Sequence, residues 1–522
     1  MTLRTEVPGV RSTHALMPLL AGVAIAATAG AVVGRLPLGE TGAIALAASL
    51  VLVGAIAHAG PQRSLLAVGL AVYVLALHWT YTDWIVPVYR SSGLVEAGPD
   101  WPSLLLVSTF ALLPSVWLPT GLKRPSEIVL WVLYLLGYVP ATTIPIHVLG
   151  PDLWAVLPLE VVLTAAFAIL AVLQGVPRPE PTWPGLSERS FGRLLAVSGS
   201  AMVVYIVIVF GLPTGLPDLA SVYETRDQAA VIQSDSPLAG YLVPWAGNVV
   251  FPLLLAMGLA RRRAWALILG TGGLLLVYGV TGAKTALFSG ALVLLLYLAI
   301  QYRSRAFGTL LSWGGVAILW LSVAATATTG SIWPLALFPT RVLAVTGQLT
   351  ADYYQFFSTH ATYQLSTSIL RWFIESPYDL PSARLVGAAY FGTTTVFANG
   401  NLWADAMANF GLAGIVPFTI ALGFVLWVLD VAGAGRDLTV IGPVLGIAGF
   451  TLSQSALFTA ILTSGIALTI VLVALMAPNG AGDQEPVSPE RGPASHRTRG
   501  LVDHRIASLS ASPSWRRPGT RP

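Results

Sequence analysis

The run Thr350-Ala351-Asp352-Tyr353-Tyr354-Gln355-Phe356-Phe357-Ser358-Thr359-His360 interrupts a chain that is otherwise almost entirely apolar. It lies inside a polar, aromatic-rich stretch from roughly 330 to 405. That stretch also carries Arg341, Arg371 and Arg384, and it closes on Ala398-Asn399-Gly400-Asn401 and Asp405 before apolar sequence resumes. On either side the chain breaks into apolar runs of membrane-crossing length, with no alternation of the kind a β-barrel strand shows. Backbone groups in lipid must be satisfied within each segment, so the runs are helices. The polar stretch is then a long, mostly helical loop on one face of a helical membrane protein.

Composition supports this. Apolar residues make up 55% of the 522-residue chain and charged residues 10%, and the mean hydropathy is +0.74. A soluble domain carries about 25% charged residues. The net charge of +4 comes from cations spread along the chain, which argues against a nucleic-acid-binding face. The chain has no cysteine, so disulfides and thiolate chemistry are excluded. Arg4 and Arg11 precede the first apolar run. No small-residue cleavage site stands apart from the continuing membrane pattern, so the reading is a retained first span.

At about 20 residues per crossing, spans are expected near 15–34, 41–59, 65–86, 103–121, 126–147, 153–174, 193–211, 241–260, 264–282, 285–301, 308–329, 411–430, 438–455 and 459–476. The fold class is thus all-α, with about fourteen transmembrane helices. With a cytoplasmic N-terminus, the cytoplasmic turns hold Arg63, Lys123–Arg124, Arg178, Arg189 and Arg193, Arg261–Arg263, Arg303 and Arg305, and Arg436, as the positive-inside rule requires. The outer side receives the segments 80–102, 212–240 and 330–405, together with Arg35, Arg90, Arg226, Lys284, Arg341, Arg371 and Arg384. Residues 1–476 form the membrane domain. The Pro-, Ser-, Gly- and Arg-rich tail 477–522 is expected to be disordered and cytoplasmic.

The outer cations break the charge bias and call for an explanation. Arg226, in Val222-Tyr223-Glu224-Thr225-Arg226-Asp227, offers a fork suited to phosphate, or a local salt bridge. Lys284 follows Gly282-Ala283 between two apolar runs, where it either meets an anionic headgroup or snorkels to the interface. Arg341 follows Trp333, Pro334 and Pro339 and is expected to begin a helix along the interface. Thr350 to Ser358 reads as an amphipathic helix at headgroup depth, its aromatic faces serving sugar rings or an anchor belt. His360 is the loop's one histidine and its best-placed base. His78, His147 and Glu160 fall in or beside spans and read as polar packing between helices. No His, Asp and Glu set has metal-ligand spacing, so no metal or cofactor is expected.

Val222-Tyr223-Glu224-Thr225-Arg226, Thr281-Gly282-Ala283-Lys284-Thr285, Arg341 with Tyr353-Tyr354-Gln355-Phe356-Phe357 and His360, and Ala398-Asn399-Gly400-Asn401 with Ala404-Asp405 and Asn409-Phe410-Gly411 occur in this order. Over roughly residues 200 to 430 the set resembles the bacterial O-antigen-type oligosaccharide repeat-unit polymerases, relatives of the O-antigen ligases. The resemblance implies a cytoplasmic-membrane glycosyltransferase acting at the extracytoplasmic face, without nucleotide sugar or metal. It would join polyprenyl-diphosphate-linked repeat units into a cell-surface polysaccharide, beside a flippase and a chain-length regulator. By the same resemblance Arg341 and His360 are catalytic, and Lys284, Arg226 and Arg371 hold the diphosphate. Tyr353, Tyr354, Asn399, Asn401 and Asp405 bind glycan, the last three alternatively fixing the loop to the next helix. Arg384 matches no motif. The alternatives are a lipid-linked oligosaccharide flippase, which needs two matched halves around a central cavity, and a ligase using another acceptor.

Overall fold

A computed structural model describes residues 60–479, apart from 151, 180–184, 214, 216, 218–221, 237 and 369. The spans expected near 15–34 and 41–59, Arg35, and the tail beyond 479 lie outside the described residues. Within them the chain is all-helical, with one isolated bridge between Leu186 and Met476. Twelve of the expected spans fall here, and each coincides with helix.

By length and composition, nine segments among the described residues are able to cross a membrane. They are α1 (Pro61–Ser92), α3 (Pro125–Leu149), α4 (Leu153–Leu173), α5 (Glu188–Phe210), α7 (Ala239–Arg261), α8 (Ala264–Thr281), the 46-residue segment Lys284–Thr329, α14 (Leu412–Gly433) and α16 (Leu457–Leu475). The 46-residue segment is two helices, α9 (Lys284–Arg303) and α10 (Phe307–Thr329), joined by a single tight turn. Trp101–Val116 (α2) and Leu438–Leu452 (α15) are shorter apolar helices. Between the spans lie α6 (Val222–Asp235), α11 (Val345–Phe357), α12 (Ser382–Phe391) and α13 (Leu402–Phe410).

Prolines shape three of the spans. Pro87, Pro140 and Pro252 each follow a wide helical turn, at Tyr81–Ile85, Tyr134–Tyr138 and Ala246–Val250 respectively. A proline has no N–H for the carbonyl four residues back. That carbonyl belongs to Asp83, Leu136 or Asn248, inside the widened turn in every case. The helix continues with a local π bulge instead of breaking.

Crossing helices alternate in direction, so their connections fall into two groups, and the contacts respect the grouping. In one group Leu122 N–H donates to the Ser304 carbonyl, Gly308 N–H to Thr120 and Leu186 N–H to Leu475, while Arg261 pairs with Asp437 at 2.8 Å and Arg263 with Glu188 at 2.6 Å. In the other, Ala97 N–H donates to the His147 carbonyl, Tyr278 to Pro217, Trp245 to Leu462 and Gln454 to Val342. The first face carries the arginine-rich turns, several of whose cations are held in ion pairs. The second carries the long polar stretch.

Candidate site on the polar face

The site begins at the corner between α8 and α9. Gly282 caps α8 with φ +60°, a conformation that suits glycine. A Cβ there would stand 2.7 Å from the Val222 carbonyl and 3.4 Å from the Thr225 Cβ, so the missing side chain lets the first turn of α6 close onto this corner. Thr281 Oγ1 donates to the Val277 carbonyl and accepts from Ala283 N–H, fixing the turn. Arg226, the next residue after Thr225, is exposed there and lies within electrostatic range of Lys284. The Lys284 ammonium stands 5.2 Å from the centroid of the Trp333 ring. Trp333 opens the helical entry Trp333–Leu335 and Ala336–Ala344 that carries exposed Arg341 into α11. Three segments far apart in sequence, bearing Arg226, Lys284 and Arg341, are joined in this way.

α11 differs from its expected place along the interface. Thr346, Gly347, Gln348, Leu349, Thr350, Ala351, Asp352 and Tyr353 are all buried, so the helix runs through protein. Gly347 is the reason, because a Cβ there would collide with Ile144 and with the Pro140 carbonyl. Its absence seats α11 against the bulged end of α3.

Burial changes the reading of the glycan-binding candidates. Tyr353 is 2% exposed and its hydroxyl donates to the Ala398 carbonyl at 2.9 Å, leaving no face for a sugar. Asn401 is the N-cap of α13. Its Oδ1 accepts from Trp403 and Ala404 N–H while Nδ2 donates to Thr350 Oγ1, so its hydrogen-bonding capacity goes to fixing the loop. Asp405 accepts from Leu457 N–H and Asn409 Nδ2, and desolvation pushes its carboxyl up to about 6. Tyr354 is half-buried and Asn399 exposed, and these two remain open to a ligand.

His360 is exposed at the C-terminal end of α11, stacked on Phe356 with ring centroids 4.1 Å apart. Its Nδ1 lies 2.9 Å from the Phe356 carbonyl. A carbonyl only accepts, so this contact assigns the proton to Nδ1 and leaves Nε2 as the basic nitrogen. The position relative to Arg341 departs from expectation, however. Sixteen residues of continuous helix separate Arg341 from Phe357, about 24 Å at 1.5 Å per residue. The two residues expected to act together stand at opposite ends of one rod. Arg371 and Arg384 are engaged locally, over the rings of Trp372 at 4.8 Å and Phe397 at 4.5 Å.

Asp352, on the same helix, is not among the site residues expected from the sequence. Its side chain is 1% exposed. Oδ1 accepts from Gln348 Nε2 at 3.0 Å, while Oδ2 is buried with no partner among the described residues. Gln348 Oε1 accepts from Tyr81, whose ring lies 5.1 Å from that of His147. His147 Nε2 meets His78 Nδ1 at 2.8 Å, and Ser108 reaches His78. Desolvation pushes the Asp352 carboxyl up to about 7, only partly opposed by Gln348. The i, i+4 spacing of Gln348 and Asp352 on a helix with Arg341 upstream was the available signal. Among the described residues, no group of three or more His, Cys, Asp and Glu side chains is arranged to hold a metal ion.

No protein-family model, curated protein or solved structure matches this chain.

Proposed function

We propose that the protein is a glycosyltransferase of the polysaccharide-polymerase type, which extends polyprenyl-diphosphate-linked oligosaccharides at the extracytoplasmic face of a bacterial cytoplasmic membrane. The observation that carries this reading is the joining of the Arg226, Lys284 and Arg341 segments on the face away from the arginine-rich turns. A diphosphate leaving group needs concentrated positive charge, and the positive-inside rule puts the arginine-rich face in the cytoplasm. In the reaction the acceptor hydroxyl oxygen bonds to the anomeric carbon while the bond from that carbon to the diphosphate oxygen breaks. Polyprenyl diphosphate leaves with the electron pair, and the hydroxyl proton passes to a base.

With the diphosphate at Arg341, His360 stands too far along α11 to reach the reacting carbon. The Asp352 carboxyl is eleven residues from Arg341, about 16 Å along the axis, several ångströms closer than His360. It lies within electrostatic range of Tyr390, whose hydroxyl donates to Gln355 Oε1 at 3.3 Å. We assign it the acceptor proton, reached when Tyr390 swings aside. The test is purified protein with a short lipid-diphosphate-linked oligosaccharide, EDTA and no nucleotide, with products resolved by glycan length. A ladder that disappears in Arg341→Ala and Asp352→Asn but survives in His360→Ala supports the assignment. A ladder lost only in His360→Ala returns the base to the imidazole. Unchanged substrate that crosses a liposome bilayer overturns the enzyme reading in favour of a flippase.

A further inference from the structure

Phe373 and Trp372 are 83% and 80% exposed, the two most exposed large apolar side chains among the described residues. They are presented on a firmly built turn. Phe373 N–H and Ile374 N–H both donate to the Leu370 carbonyl, and Leu370 N–H donates to Leu365. The turn hangs from α13, since Tyr363 N–H donates to the Ala408 carbonyl, Gln364 N–H to the Asn409 carbonyl and Leu365 N–H to Asn409 Oδ1. At its far end Tyr363 Oη donates to the Leu380 carbonyl. Gln364 and Leu365 hold φ of +51° and +63°, a conformation that non-glycine residues adopt only where the surroundings impose it.

The attachment point fixes the depth of this tip. Asn409 lies three residues before the membrane-length segment Leu412–Gly433, so the turn is anchored where the chain enters the apolar layer. Trp154, 76% exposed, stands on the same face at the start of Leu153–Leu173, another span entry. Tryptophan favours headgroup depth, with its ring partly in hydrocarbon. Arg371, its guanidinium 4.8 Å from the Trp372 ring centroid, adds a cation suited to an anionic headgroup.

We propose that Arg371, Trp372 and Phe373 form a membrane-inserting tip that seats the polar loop on the lipid leaflet, with Phe373 in the acyl boundary and Arg371 at the phosphates. This moves Arg371 from the diphosphate site to the lipid surface and does not depend on the catalytic reading. The chain has no cysteine, so Phe373→Cys in the full-length protein gives one labelling position for an environment-sensitive fluorophore. Thr394→Cys, on an exposed turn, is the reference. In proteoliposomes containing phosphatidylglycerol, the label at 373 is expected to be quenched severalfold more strongly by a shallow spin-labelled lipid than by aqueous iodide. Position 394 is expected to show the reverse. Arg371→Glu should lower lipid quenching at 373. Iodide quenching at 373 equal to that at 394 overturns the proposal. Protection from iodide that appears only on adding oligosaccharide also overturns it, and gives the two rings to sugar instead.

Discussion

Lys284 and Trp333 form a cation–π contact at 5.2 Å that fastens the α8–α9 corner to the helical entry of α11. An indole face attracts an ammonium and fixes its direction. Lys284→Met keeps the apolar stem and removes the charge, so the protein is expected to fold; with the proposed function, chain extension from a lipid-diphosphate-linked donor should fall at least tenfold. Lys284→Arg should recover part of that loss, because a guanidinium also stacks on indole and binds phosphate. Equal chain-extension rates for wild type and Lys284→Met would remove this ammonium from the site.

Asp352 makes stability depend on pH in a definite direction. Its ordinary value is 3.8 and burial raises it to about 7 in the folded protein, so the folded state binds the proton more tightly than the unfolded state. The associated stability is complete below about pH 4 and is lost as pH rises through about 7. Asp405, raised to about 6, acts in the same sense. The detergent-solubilised protein should therefore melt at a higher temperature at pH 5 than at pH 8, with acid unfolding at much lower pH set by other groups. Asp352→Asn, which keeps a hydrogen-bond acceptor for Gln348, should reduce that difference and raise the melting temperature at pH 8. A difference unchanged in Asp352→Asn would assign the pH dependence elsewhere.

Asn399 and Asn401 stand two residues apart with opposite expected phenotypes. Removing the Asn401 side chain uncaps α13 and leaves Thr350 Oγ1 without its donor in a buried setting. Loss of a cap costs about 1 kcal/mol and an unsatisfied buried group about 1–3 kcal/mol, so Asn401→Ala should unfold at clearly lower temperature. Asn399 is exposed, and Asn399→Ala should melt like wild type. If Asn399 holds glycan, that variant raises KM for the lipid-linked substrate and leaves the melting temperature alone. Normal melting of Asn401→Ala would contradict the capping role.

Whatever depended on an average over many residues was legible in the sequence. Hydropathy over windows of about 20 residues located helix for each expected span within the described residues. What depended on a single close approach was not legible. The run around Tyr353 and Tyr354 has the polarity of an interfacial helix, yet Gly347 brings it onto Ile144 and Pro140 and buries it. Periodicity does not reveal which glycine faces a neighbouring backbone. The same burial turned Tyr353 and Asn401 from ligand candidates into structural contacts and brought forward Asp352. The outer cations stand out in the sequence because charge in an apolar chain is conspicuous. Asp352 does not, because chemical type picks out a histidine before an aspartate whose burial depends on a distant glycine, and helix length alone sets His360 apart from Arg341.

The burial of α11 rests on Gly347, and that dependence is the most direct test of the fold. A methyl group at this position meets Ile144 and the Pro140 carbonyl. The carbonyl cannot yield without moving the bulged end of α3, where Tyr138 packs against Phe167 and Trp403. Overpacking of this kind costs about 1–3 kcal/mol. Gly314, in the middle of α10, has nothing within 4 Å of a Cβ, and alanine there should be neutral or slightly stabilising because of its helix propensity. Thermal unfolding of the two variants in the same detergent is expected to separate them, with Gly347→Ala melting lower and Gly314→Ala at or above wild type. Gly347→Ala should also lose activity at temperatures where it remains folded, since a shift of α11 moves Asp352 relative to Arg341. Equal melting and equal activity in both variants would place α11 away from α3 and return it to the membrane surface.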